Sequence, residues 1–354
     1  MEKTSNLLEK LVNIRSSPRV SNKEIALFLE ELFKGFEKWK LRQENDGVEL
    51  FNLIVKIPSD DRKGKPLMVL MHTDTVEGSW FQKAKVESGK VIGLGSCDMK
   101  AGIACIIKAA LKKKYPRDLY LCFSSDEESK GKGAELIKER ITREEFELIL
   151  IPEPSSMNAY DSQNSCVAYQ VFTRGKSKHG SLNRKENNFG DNAIVKMSRI
   201  INYLNKELEE DKDIESQNIG VISGGVKTNI VPENCYMKFE QRFKPGINID
   251  EKIKKTSSDI EEIGGKLDIR FKGDYFKLNN DSARERIREI LEKRGVNCFE
   301  KFPAWSEAGI FKELGPCMVL GPGNLEAAHT ENEYVDVKDL ELFEKIYEEI
   351  FEKI

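Results

Sequence analysis

Three short runs of consecutive apolar residues, each cut off by polar ones, constrain this chain more than any other feature. "PLMVLM" (Pro66–Met71) runs into His72-Thr73-Asp74, "LYLCF" (Leu119–Phe123) into Ser-Ser-Asp126-Glu127-Glu128, and "LILIP" into Glu153. A strand that is apolar at every position has both faces covered. Between the runs lie helical patterns: Gly102–Leu111, apolar on nearly all sides, and Ala134–Arg140. Strand, helix, strand, helix, strand implies a mostly parallel sheet flanked by helices, with right-handed crossovers. Phe51–Ile57 reads as a further strand, Asn22–Trp39 as a helix, and Ser282–Lys293 and the tail from Val337 as amphipathic helices.

After "IPEPSS" the rhythm changes. Val167–Thr173, Asn218–Ile222, Cys235–Phe243 and Lys266–Lys272 read as strands, and Asn192–Leu208 and Ile249–Ile263 as helices. The order β-α-β-β-α-β is that of a ferredoxin-like α+β domain. A chain of 354 residues exceeds what one core usually holds. The expected division is therefore a larger α/β domain, residues 1–160 plus 275–354, with a smaller one, 161–274, inserted into it.

Charge narrows the partners. Lys and Arg total 57 against 60 acids, a net charge of −3, with no basic stripe. Nucleic acid and anionic membrane are poor matches, and no run approaches transmembrane length. The start, "MEKTSNLLEKL", lacks the apolar stretch of a signal peptide. The seven cysteines are scattered, with no CxxC pair, as suits reduced thiols in a cytoplasm.

In a parallel sheet, ligands bind beyond the carboxyl ends of the strands. There the sequence gathers His72, Asp74, Glu127, Glu128 and Glu153. Asp98 lies just before the buried helix, and His329 follows the short apolar run Met318–Leu320. Imidazoles and carboxylates together suit zinc, cobalt or manganese. Spacing alone leaves a solvated set of turn and capping residues equally open.

The segments "HTDT", "GLGSCDMKAG", "SSDEESKGKG", "IPEPS", "KHGS…NAI", "TNIVPEN" and "LGPG…AHTENEYV" decide between these readings. In order and approximate spacing they resemble the dinuclear zinc amidohydrolase family of acetylornithine deacetylase, succinyl-diaminopimelate desuccinylase, aminoacylase and glutamate carboxypeptidase. The resemblance spans about His72 to Val335. It implies a zinc-exopeptidase-like catalytic domain, a small domain that serves dimerisation or as a lid, and two Zn2+ per subunit, with Co2+ or Mn2+ as substitutes. His72, Asp98 and Glu153 would hold one ion. Asp98 would bridge to a second, held also by Glu128 and His329. Asp74 would orient the His72 edge of the site. Glu127 would be the general base toward a water activated by the ions. His179 would stabilise the oxyanion, commonly from the neighbouring subunit of a homodimer. Asn229 and Arg242 would contact substrate, and Glu307, often Asp in the family, would meet a basic amino group. Arg242 is equally plausible as a structural ion pair. The implied reaction is hydrolysis of the amide of an N-acyl amino acid, of the deacetylase or desuccinylase type serving amino-acid biosynthesis. The alternative is a dipeptidase, tripeptidase or carboxypeptidase using the same site on short peptides.

Overall fold

The computed structural model describes residues 2–60, 64–78, 83–182 and 192–354. The chain separates into two compact units, Met1–Gln163 with Phe276–Ile354, and Asn164–Tyr275.

The first unit begins with α1 (Thr4–Asn13), α2 (Lys23–Leu32), β1 (Glu37–Asn45), β2 (Val48–Ile57) and β3 (Leu67–His72). A short hairpin follows, β4 (Lys85–Glu87) and β5 (Lys90–Ile92), then α3 (Lys100–Ala110), β6 (Leu119–Ser124), α4 (Lys132–Arg140), β7 (Leu148–Ile151) and β8 (Asn158–Gln163). The second unit comprises β9 (Ser165–Arg174), α5 (Ala193–Glu210), β10 (Ile214–Gly224), β11 (Asn234–Phe243), α6 (Ile249–Ile263) and β12 (Gly265–Gly273). The chain then completes the first unit with β13 (Phe276–Lys277), α7 (Asp281–Glu292), β14 (Asn297–Phe302), α8 (Ala308–Phe311), β15 (Cys317–Val319), β16 (Tyr334–Asp336) and α9 (Val337–Lys353).

The large sheet of the first unit runs β1-β2-β6-β3-β7-β15-β8-β13, with β14 beside β8. Its centre, β6-β3-β7-β15, is parallel throughout. Every residue of β3, β6 and β7 is buried, as continuous apolar strands require. All of α3 is buried as well, and it packs with α1 and α9. Because the four central strands run one way, their carboxyl ends share an edge. A separate ladder, β16-β5-β4, sets Tyr334 opposite Ile92.

The second unit is a four-stranded antiparallel sheet in the order β10-β11-β9-β12. Its core is built from one face of β9 and β11 with α5 and α6, including Tyr169, Met197, Ile200, Leu204, Phe239 and Ile260. This is the β-α-β-β-α-β arrangement expected from the sequence.

One element differs from expectation. The helix expected over Asn22–Trp39 ends at Leu32, and Trp39 lies in β1. Gly35 turns the chain at φ +92°, and Asp46-Gly47, at φ +50° and +81°, fold β1 back onto β2. Two successive positive φ values make the tight hairpin turn that Asp-Gly favours. Phe33, Phe36 and Trp39, spaced three apart, all pack on the core, and that spacing mimics a helical face.

Candidate metal centre

His72 closes β3, Ser124 closes β6, and Pro152-Glu153 follow β7, so the parallel sheet delivers these side chains to one edge. Asp98 stands at the turn into α3 and is nine-tenths buried. Nε2 of His72 lies 3.0 Å from Oδ1 of Asp98 and 3.6 Å from Oε1 of Glu153. Nε2 of His329 lies 3.2 Å from Oδ2 of Asp98 and 2.9 Å from Oε1 of Glu128. Asp98 thus faces one histidine with each oxygen. Three sets, His72-Asp98-Glu153, Asp98-Glu128-His329 and His72-Glu127-Glu128, each bring their ligand atoms within 4.8 Å of one another.

The donor chemistry fits divalent cations. Nδ1 of His72 lies 3.0 Å from the backbone oxygen of Asp74, a group that only accepts, so Nδ1 carries the proton. Nε2 is left pointing at carboxylates. That arrangement requires a proton or a cation between them. Burial lowers the proton affinity of His72, but Glu153 and Asp98 outweigh it and raise its pKa well above 6.5. Hydrogen bonds to Asp98 and Glu128 carry His329 to about 10. Burial pushes Asp98 up, yet hydrogen bonds from both histidines hold it below the ordinary range. Burial raises Glu153 to about 7, and burial with the neighbouring acids Glu153, Glu128 and Glu307 drives Glu127 well above 4.5. So many acids packed together are neutral, or they surround positive charge.

The acidic run after β6 is sorted by its backbone. Asp126 takes φ +67°, its carbonyl accepts from the amides of Ser129, Lys130 and Gly131, and its Oδ1 accepts from Gly133 at the start of α4. It is the turn acid. Asp74, 1% exposed, accepts the amides of Glu127 (3.3 Å) and Glu128 (3.1 Å) on its two oxygens. It therefore places both glutamates while its own backbone fixes His72.

Glu307 is 3% exposed: Oε2 accepts from Ser124 Oγ at 2.6 Å, while Oε1 is buried without a partner. Burial lifts it to about 8. The second unit holds His179, Asn229 and Arg242. His179 bridges to Ile230, and Gly180 donates its amide to the carbonyl of Asn229 at 2.8 Å, so the first two are neighbours. His179 is exposed, with Nδ1 2.8 Å from Ser181 Oγ. Arg242 meets Glu240 at 3.5 Å, and its Nη1 is buried without a partner. Residues 183–191, between His179 and α5, lie outside the described residues.

Sequence reasoning passed over Glu333, which is 1% exposed. It accepts the amides of Gly95, Cys97 and Asp98. In "ENEYV" nothing but its place four residues after His329 sets it apart from a solvated acid.

Residues 68–353 match peptidase family M20/M25/M40, and the chain belongs to that family. It is thus a hydrolase of a metal-dependent peptidase family. Among curated relatives, acetylornithine deacetylase of Pasteurella multocida is 28% identical over 296 residues, covering 77% of this chain and 76% of its own. A tripeptidase from Staphylococcus aureus superposes with a TM-score of 0.80 at 22% identity, over 99% of this chain and 97% of its own. A metallo-carboxypeptidase of the same family from Sulfolobus solfataricus gives 0.76 at 14% identity, covering 99% of each chain. Among the described residues no helix is long and apolar enough to cross a membrane.

Proposed function

We propose that this chain hydrolyses the amide bond of an N-acyl amino acid, in the manner of acetylornithine deacetylase or succinyl-diaminopimelate desuccinylase, within amino-acid biosynthesis. The observation that carries the reading is Asp98 set between His72 and His329, each histidine backed by its own glutamate. The 28% identity to acetylornithine deacetylase supports the acyl-amino-acid substrate.

His72, Asp98 and Glu153 would hold one divalent cation, and Asp98, Glu128 and His329 the other; zinc suits the set, and cobalt or manganese are accepted by the same donors. Bound ions of this kind lower the pKa of a water and polarise a carbonyl. Glu127 takes the water's proton on its carboxylate as the new C–O bond forms, then delivers it to the departing amine as the C–N bond breaks. Asp74 keeps Glu127 in place by accepting the hydrogen bond of its backbone N–H. His179 donates to the oxyanion, from the partner subunit of a homodimer. Asn229 and Arg242 meet the substrate's carboxylate, for which a guanidinium fork is suited. Glu307 offers its unpartnered oxygen to a basic amino group. The unpaired cysteines suit a reducing cytoplasm.

The deciding experiment is a substrate panel with metal counting: N-acetylornithine, N-acetyl-lysine, N-succinyl-diaminopimelate, dipeptides and tripeptides. Turnover of an acylated amino acid with two ions per chain is expected. Turnover confined to peptides replaces this substrate class with a peptidase. Sedimentation checks the homodimer, and an active monomer at assay concentration removes the donated His179.

A further inference from the structure

The loop Gly93–Asp98 and the loop from His329 to Glu333 meet because the strands beside them pair, β5 with β16. Glu333 sits at that meeting. Its Oε2 accepts the amide of Gly95 at 3.0 Å, and its Oε1 accepts those of Cys97 at 2.8 Å and Asp98 at 2.9 Å. Its backbone oxygen accepts the amide of Gly93 at 2.9 Å and the hydroxyl of Ser96 at 3.2 Å. One residue thus satisfies five donors of a six-residue loop whose last member is Asp98. The loop is closely fitted around it. Gly95 takes φ +81°, and a Cβ there would come within 2.6 Å of Thr75 Cγ2. On its own side, Glu333 lies four residues beyond His329, which takes φ +59°.

We propose that Glu333 is the positioning residue of the Asp98-Glu128-His329 metal group, locking the Asp98 loop to the His329 loop so that both ligands face one ion. This rests on the two-ion reading above. Glu333 belongs to none of the three candidate metal groups. Its carboxylate gathers backbone donors, and the amide of Asp98 itself is one of them. The His72-Asp98-Glu153 group depends on this clamp for one ligand of three. The other group depends on it for two, Asp98 and His329. Loosening the clamp therefore harms the two groups unequally.

Glu333→Gln tests this. It keeps the shape but turns an amide N–H toward the amides that Glu333 now accepts. Apo wild type and variant are titrated with Co2+, followed by calorimetry and by the visible absorption of the bound ion. The wild type is expected to bind two ions. The variant is expected to bind the first with nearly unchanged affinity and the second about 10- to 100-fold more weakly, the usual range for groups that orient ligands. Glu333→Asp, which keeps the charge but draws the carboxylate back, is expected to fall between them. If Glu333→Gln does not fold, Glu333→Asp alone decides. Two ions held at wild-type affinity by a folded variant overturn the clamp while sparing the two-ion reading, and so does equal weakening of both sites. A wild type that takes up a single ion sinks the two-ion reading, and this inference with it.

Discussion

At the scale of single residues, the decisive question is which acid works on the water and which hold ions. Geometry places Glu127 within ligand range of His72 and Glu128, so the assignment of base rests on function. Glu127→Gln removes the proton acceptor and leaves the other donors intact. Turnover is expected to fall by about 10²- to 10⁴-fold while both ions remain, as measured by steady-state kinetics beside metal analysis. Loss of an ion would make Glu127 a ligand instead. The histidines give a second test. Without cations, His72 is raised well above 6.5 by Glu153 and Asp98, and His329 to about 10, so both hold a proton more firmly than a free imidazole. These raised groups stabilise the metal-free chain fully below about 6.5, the unfolded value, and that contribution fades as pH climbs through the folded values. Cations must displace the protons. Metal affinity is therefore expected to rise with pH. Calorimetry at pH 7 in two buffers of different ionisation heat should show net proton release, and none would contradict the ligand assignment. Position after an apolar strand run or before a buried helix picked out the candidate ligands, and only the resemblance of the surrounding segments to a metal-dependent hydrolase family assigned them to ions. Glu333 could not be picked out, since a buried acid bonded to backbone amides leaves no pattern of its own. The burial of Glu307 against Ser124 was equally hidden, because it depends on packing between segments far apart in the chain.

At the scale of elements, the site stands on close approaches that only small residues permit. A Cβ on Gly102 of α3 would lie 2.3 Å from the carbonyl oxygen of Pro152, and one on Gly321, just past β15, equally close to the same atom. The helix and the strand end thus press on the residue before Glu153 from two directions. Gly102→Ala is expected to cost about 1–3 kcal/mol through overpacking and to weaken the ion held by Glu153, read as a lower Tm with reduced metal affinity. An unchanged Tm would mean that the backbone yields freely there. The small-residue character of "GIACIIKAAL" announced this packing, since a helix lacking bulk on every side has to lie against something. β1 was less legible. Phe36 and Trp39, three and six residues after Phe33, continued the apolar spacing of α2, and the Asp46-Gly47 turn marks β1 as the first arm of a hairpin. β8, "NAYDSQ", has no strand signature at all; its ladders with β13, β14 and β15 define it.

At the scale of the whole molecule, the two units have separate apolar cores, one spread over the large sheet and its helices and the other within the four-stranded sheet with α5 and α6. The chain leaves the first unit at Gln163 and returns at Phe276, and these two residues are partners in the β8-β13 ladder. An insertion whose ends leave and return side by side disturbs the host sheet little, and the change from apolar runs to the β-α-β-β-α-β rhythm made it visible in the sequence. All five candidate ligands, His72, Asp98, Glu128, Glu153 and His329, belong to the first unit. Ions that bind the folded form alone stabilise it by about 2.7 kcal/mol per site at a free concentration of 100 times Kd. That stabilisation is directed to the unit that supplies the donors. Scanning calorimetry with and without a chelator is therefore expected to resolve an unfolding transition that drops by several degrees when metal is removed, assigned to the large unit, and another that stays in place. If removal of metal shifts a single transition that includes both units, the small unit unfolds with the large one, and the separate cores do not act as separate folding units.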